Sequence, residues 1–117
     1  MAVTFETKNL GQVTILSPQG RIVIGDEVAA LREKIKELLE AGSRNILINM
    51  AGVTYIDSTG VGALVGSFTS IRNQGGQMKL ANLGQRVKDI LLVTKLLTVF
   101  DVYDSEAEGT KSFAAKN

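Results

Sequence analysis

Residues 55–65 read YIDSTGVGALV. An apolar run ends in Asp57-Ser58-Thr59-Gly60, and small and apolar residues continue at helical spacing. A carboxylate and two hydroxyls therefore stand where a strand hands over to a helix. The N–H groups in the first turn of a helix lack intrahelical partners, and the helix dipole makes that end partly positive. Two readings follow. In one, Asp57 or Ser58 is an N-cap and Gly60 lets the chain turn tightly. In the other, the Ser58 hydroxyl stands at the sheet edge within reach of a kinase, and an added phosphate rests on a surface already suited to anions.

The second reading has a defined energetic consequence. Phosphorylation adds roughly −1.5 to −2 charge. The domain need not refold to hold it, so the cost falls on any partner docked over the helix start. Unpaired or like charge in a contact costs several kcal/mol, and about 4 kcal/mol is a thousandfold in affinity. Asp57 opposes a neighbouring phosphate by repulsion. Alternatively, it orients the hydroxyl or holds metal or basic groups that the kinase brings. Thr59 is a second hydroxyl and the minor candidate for phosphorylation; its alternative place is sideways in the helix packing.

Other chemistries find little support. There is no histidine and no cysteine, which removes Ser-His-Asp mechanisms, the usual zinc ligands, thiolate metal sites and disulfides. Gly60, Gly62 and Gly66 suggest part of a G-x-G-x-x-G loop, but the third glycine comes one place late, and residues 78–82 (MKLAN) lack the expected acid. Small residues there bring a helix close to the sheet or to a partner. The acid pairs Asp26/Glu27, Asp101/Asp104 and Glu106/Glu108 read as solvated faces. Arg86 and Lys88 read as helix surface, with an acidic partner as the alternative. No cofactor or metal is implied.

The elements that must position the Asp-Ser-Thr-Gly stretch are legible from periodicity. The 117 residues suit one domain, 1–117, and carry 44% apolar and 21% charged residues with a net charge of +1. That charge provides no strong field for nucleic acid. MAVTFETKNL lacks the features of a signal peptide, and no apolar run approaches the roughly 20 residues of a membrane span. A cytoplasmic protein is expected. Strands are predicted at 3–8 and 12–17 around an Asn9-Leu10-Gly11 turn, with Pro18 stopping or bending the second and 20–24 resuming it. Asp26 is the expected N-cap of a helix with Val28, Leu31, Ile35, Leu38 and Leu39 on one face, closed by Gly42. A buried strand at 45–50 follows, then an approach to the sheet edge over 53–56. A helix over 58–73 stops at Gly75-Gly76. A strand at 77–81, a short helix around Val87, Ile90 and Leu91, a strand at 98–103 and a last helix opened by Ser105 and Glu108 complete the order. Gly109 weakens that last helix, and residues 114–117 are expected to fray. The alternation implies an α/β fold with a partly parallel sheet.

In this setting the chain resembles a STAS domain, specifically the stand-alone bacterial anti-sigma factor antagonists. The likeness runs from about Val3 to Phe113. Its most specific stretch is YIDSTGVGALVGSF, with RNILINM before it and NQGGQMKLANL after it. The resemblance implies a mixed central sheet of about four to five strands with about four helices packed on it. It implies that Ser58 accepts phosphate from an anti-sigma factor that is itself a serine kinase, with Asp57 aiding phosphorylation or docking and Gly60 as the glycine of the turn. The implied partner-binding set is Arg21, Asp57, Ser58, Thr59, Gly60, Val61 and Gly62. The implied mechanism is partner switching in a stress response. The unmodified chain, a monomer or weak dimer and not an enzyme, binds the anti-sigma factor and frees a sigma factor. Phosphorylation ends the binding and a PP2C-type phosphatase restores it.

Two positions depart from the family pattern. Val23 stands where relatives often carry an Asp that contributes to partner recognition. Lys95 stands where a glycine is usual, which would lengthen the third helix. The competing reading is a STAS scaffold or transport-accessory module that docks on a larger complex without a phospho-switch; retention of both Ser58 and Thr59 favours the switch. An enzyme with a nucleotide site lacks its motifs.

Overall fold

Along each central strand the side chains alternate between two cores. Leu16, Ile46, Ile48, Met78 and Leu80 face one, while Val13, Ile15, Leu47 and Ala81 face the other. A strand buried on both faces needs helices on both sides. The computed structural model, which describes residues 3–114, supplies them. The elements are β1 (Thr4–Leu10), β2 (Val13–Ile22), α1 (Asp26–Glu40), β3 (Asn45–Asn49), β4 (Val53–Ile56), α2 (Ser58–Asn73), β5 (Gln77–Ala81), α3 (Gln85–Val93), β6 (Val102–Tyr103) and α4 (Glu106–Ala114). The α1, α2 and α3 helices contribute Leu31, Ile35, Val61, Leu64, Val87 and Leu91 to the larger core. From α4, Phe113 closes the smaller one.

The fold is a mixed α/β arrangement: a six-stranded sheet in the order β1-β2-β3-β5-β6, with β4 also paired to β2. Only β1 is antiparallel to its neighbour. The sheet has one strand more than the sequence suggested, because residues 53–56, expected only as an approach to the sheet edge, pair as a strand beyond a turn at 50–52. The Val53 N–H donates to the Met50 carbonyl at 3.0 Å. As a result β3 pairs with Val13–Leu16, and β4 pairs farther along the same strand with Gly20–Ile22. Pro18 lies between those two stretches. Of the two effects expected of it, it does not stop β2: it pairs with Phe5 of β1 and falls where neither parallel partner is in register.

Other boundaries also move. The first hairpin turns at Gly11-Gln12 rather than at Asn9-Leu10-Gly11, with Leu10 paired to Val13 and Gly11 at a left-handed φ of 61°. The N-cap of α1 is Gly25, without a side-chain cap bond, so Asp26 is the first helical residue and not the cap. The predicted strand at 98–103 reduces to Val102–Tyr103. Leu97–Val99 form a 3₁₀ turn, and Phe100 is buried edge-to-face against Phe68, with ring centroids 5.5 Å apart.

Three helices stop in the same way. After α1, α2 and α3 the left-handed position falls to Gly42 (φ 100°), Gly75 (φ 84°) and Lys95 (φ 63°). In each, the next N–H reaches back five residues: Ser43 to Leu38, Gly76 to Ile71 and Leu96 to Leu91. Lys95 therefore ends α3 where it was expected to lengthen it. The Glu108 N–H donates to Ser105 Oγ at 3.0 Å, the forward half of the expected capping box. Of the residues expected to fray, Ala114 ends α4, and 115–117 lie outside the described residues.

Candidate functional site

Two parallel segments, Arg21–Ile24 and Tyr55–Ser58, run side by side at the end of the sheet. Arg21 pairs with Tyr55 and Ile22 with Ile56, and the Asp57 N–H reaches the Ile22 carbonyl at 3.4 Å. From there α2 departs. Asp57 is its N-cap: Oδ1 accepts the Gly60 N–H at 2.9 Å and the Thr59 hydroxyl at 2.6 Å. Its Oδ2 accepts the Ile24 N–H at 3.0 Å, tying the β2–α1 loop to the start of α2. Partial burial pushes the Asp57 carboxyl up, but the bonds from the Thr59 hydroxyl, Ile24 and Gly60 outweigh it and hold the group below its ordinary value.

Ser58 is the first residue of α2 and is exposed. Among the described residues its hydroxyl has no hydrogen-bond partner, so its nucleophilic oxygen faces solvent. Thr59 differs: it is half-buried and its hydroxyl is committed to Asp57. Gly60 is buried. A Cβ there would run into the Ile22 carbonyl and come within 2.6 Å of Ile56 Cγ1. The glycine thus allows the helix start to sit on β2 and β4, rather than serving a tight turn. Val61 is buried beneath it, whereas Gly62 is exposed with open space where a Cβ would stand.

The structure thus brings Asp57, Ser58, Thr59, Gly60 and Gly62 to one helix start, with Arg21 beside them on β2. Val61 points into the core. Gly60, Gly62 and Gly66 all lie inside α2, so no glycine loop precedes that helix as a dinucleotide site requires. Among the acid pairs, Glu106 is not simply solvated. It meets Lys8 at 2.8 Å and accepts from Asn49 Nδ2 at 3.0 Å. The Lys8 bond lowers its carboxyl and outweighs the opposing effect of burial. It lines a polar cleft of about 650 Å³ with Lys8, Ile15 and Asn49, away from Ser58. Sequence reasoning missed Ile24 and Tyr55, 72% and 41% exposed, because apolar side chains in or beside a strand read as core. Among the described residues no helix is long and apolar enough to cross a membrane.

A family model for the STAS domain matches residues 4–109. The chain belongs to the STAS domain family. Within it, this STAS domain falls among the anti-sigma factor antagonists. It is 39% identical over 79 residues to the anti-sigma-B factor antagonist of Bacillus subtilis, covering 68% of this chain and 71% of that one. Among solved structures, a Thermotoga maritima protein provisionally assigned as an anti-sigma factor antagonist superimposes with a TM-score of 0.85 at 27% identity, over 92% of both chains. The Bacillus cell fate determinant SpoIIAA in its phosphorylated form shares the fold, with a TM-score of 0.72 at 19% identity over 94% of this STAS domain and 99% of that chain.

Proposed function

We propose that this STAS domain is an anti-sigma factor antagonist that works by partner switching. In its unmodified form it binds an anti-sigma factor serine kinase and releases a sigma factor. Phosphorylation on Ser58 ends the binding, and a PP2C-type phosphatase restores it. The chain acts in the cytoplasm as a single domain and as the substrate of the kinase, without an active site of its own. The partner surface comprises Arg21, Asp57, Ser58, Thr59, Gly60 and Gly62, with Val61 supporting it from below. Thr59 is the minor phosphosite, disfavoured by its commitment to Asp57.

The observation that carries this reading is the contrast between Ser58 and its neighbours. Asp57 and Thr59 are consumed in capping α2, and Gly60 is wedged against β2. Ser58 alone in the stretch is an exposed nucleophile with no structural task. A phosphate there meets the positive end of a sixteen-residue helix. It therefore adds charge to the surface without breaking any contact that holds the fold. The phosphorylated form of SpoIIAA, on the same fold, supports a modified state that remains folded.

The test is phosphorylation by candidate anti-sigma kinases with ATP, the site being located by mass spectrometry. Modification at Ser58 is expected, together with roughly a thousandfold weaker binding of Ser58→Asp to the same kinase. Wild-type affinity in Ser58→Asp would sink the electrostatic mechanism.

A further inference from the structure

We propose that Arg21, Tyr55 and Arg86 form a cationic cradle that receives an acidic segment of the anti-sigma partner, next to Ser58 but distinct from it. The proposal rests on the partner-switching reading and names a recognition feature that Ser58 does not supply. Arg21 and Tyr55 are register partners on β2 and β4, and both are exposed, whereas the next pair, Ile22 and Ile56, is buried. The two side chains therefore share the outward face. From α3, Arg86 places its guanidinium carbon 5.8 Å from the centre of the Tyr55 ring. One guanidinium thus lies over an exposed aromatic ring, and the exposed residue paired with that ring across the sheet is a second arginine.

Among the described residues neither arginine has an acid to answer it, and the ion pairs there are Lys8–Glu106 and Lys34–Glu37. The acids nearest in sequence are engaged or turned to other work. Asp57 is bonded to Ile24, Thr59 and Gly60; Asp89 accepts from Gln85 at 2.7 Å; Asp26 and Glu27 open α1, beyond Ile24. A guanidinium laid on a ring keeps its in-plane N–H fork for a carboxylate. Ile24, 72% exposed, adds an apolar rim. Tyr55 precedes Ser58 by three residues, a span of at most about 10 Å. The matching ligand is a protein segment with carboxylates beside an apolar side chain. A nucleic acid would need a longer cationic track than this, on a chain whose net charge is +1.

The experiment uses the full chain and the anti-sigma factor that phosphorylates Ser58. Association kinetics are measured for wild type, Arg21→Glu, Arg86→Glu, the double variant, Arg86→Lys and a control on the opposite face of the sheet, Lys111→Glu. Salt is varied from about 0.05 to 0.5 M. Each reversal is expected to weaken binding roughly tenfold, chiefly through slower association, and the double variant to flatten the salt dependence. Arg86→Lys, which keeps charge but loses the planar stack, falls between. Lys111→Glu binds as wild type, and melting temperatures are unchanged because both arginines are exposed. Full affinity in the arginine reversals, an equal loss in Lys111→Glu, or preferential capture of single-stranded DNA by the patch overturns the proposal. If no anti-sigma kinase binds the wild-type chain, the partner-switching reading itself falls and this proposal with it. Wild-type binding with unimpaired arginine variants overturns the cradle alone.

Discussion

At the scale of single residues, Asp57 does two jobs that a substitution separates. Its Oδ1 caps α2 and its Oδ2 anchors the Ile24 loop. Asp57→Ala is expected to cost about 1 kcal/mol, as lost N-caps do, and to loosen the loop that carries Ile24. The pH dependence has a definite sign. The folded carboxyl titrates below its ordinary value of 3.8, so the unfolded chain binds the proton more readily. The stabilisation is therefore complete above about pH 4 and fades as pH falls toward the lowered folded value. Glu106, lowered from 4.5, behaves alike. Urea unfolding at pH 7 and pH 3 should show a smaller acid loss in Asp57→Asn than in wild type, and a smaller one again when Glu106→Gln is added. Lys95 offers the opposite case. It occupies a left-handed position where the same motif elsewhere uses Gly42 and Gly75. Lys95→Gly should stabilise by about 1 kcal/mol, read as a rise of several degrees in melting temperature. The Asp-Ser-Thr-Gly handover could be read from residue types alone, since local chemistry restricts caps so strongly. The stacking of Arg86 on Tyr55 could not, because it joins residues 31 positions apart in the chain on elements whose packing no local pattern encodes.

At the scale of elements, the glycines of α2 have opposite prospects. Gly60→Ala drives a methyl into the Ile22 carbonyl and Ile56, so α2 must lift from β2 and β4. Overpacking of this kind costs about 1–3 kcal/mol, outweighing the gain in helix propensity. Gly62→Ala meets open space and should gain up to about 1 kcal/mol from propensity. Because Gly62 is exposed next to Ser58, the same methyl should weaken kinase binding; thermal unfolding and affinity measured on both variants separate these effects. Gly109 follows Gly60. Propensity alone marks it as a weak point in α4, yet a Cβ there would come within 2.8 Å of Leu47 Cδ1, so close packing explains it. The spans of α1 and α2 were legible because each apolar face is continuous and a left-handed glycine, Gly42 or Gly75, marks the stop; the stop of α3 was not, because Lys95 takes that position without a glycine's signal. The pairing of β4 was not legible: residues 53–56 read only as an approach to the sheet edge, and their place beside Gly20–Ile22, past the proline, makes sense only once β3 and β4 are seen to share β2. The short β6 was obscured for a related reason: Phe100 is β-prone in sequence but is recruited by Phe68 of α2.

At the scale of the whole molecule, the arrangement separates what stabilises the domain from what a partner meets. The α1–α3 layer and the α4 layer close two cores on opposite faces of the sheet, and Ser58 belongs to neither. Negative charge at the start of a long helix is favourable by about 0.3–1 kcal/mol at low ionic strength. The switch should therefore move stability and affinity in opposite directions. Phosphorylated Ser58, or Ser58→Asp, is expected to melt at or slightly above the wild-type temperature while losing the kinase. Ser58→Lys should melt slightly below it, because a cation opposes the same dipole. A control of low interest for binding, Ser105→Ala at the α4 cap, should lower stability by about 1 kcal/mol and leave kinase affinity unchanged. Parallel melting curves and binding isotherms on these variants decide the matter. If phosphorylation lowers the melting temperature by as much as the loss of a cap, the signal travels through unfolding of the helix start, and a surface-charge mechanism no longer accounts for it.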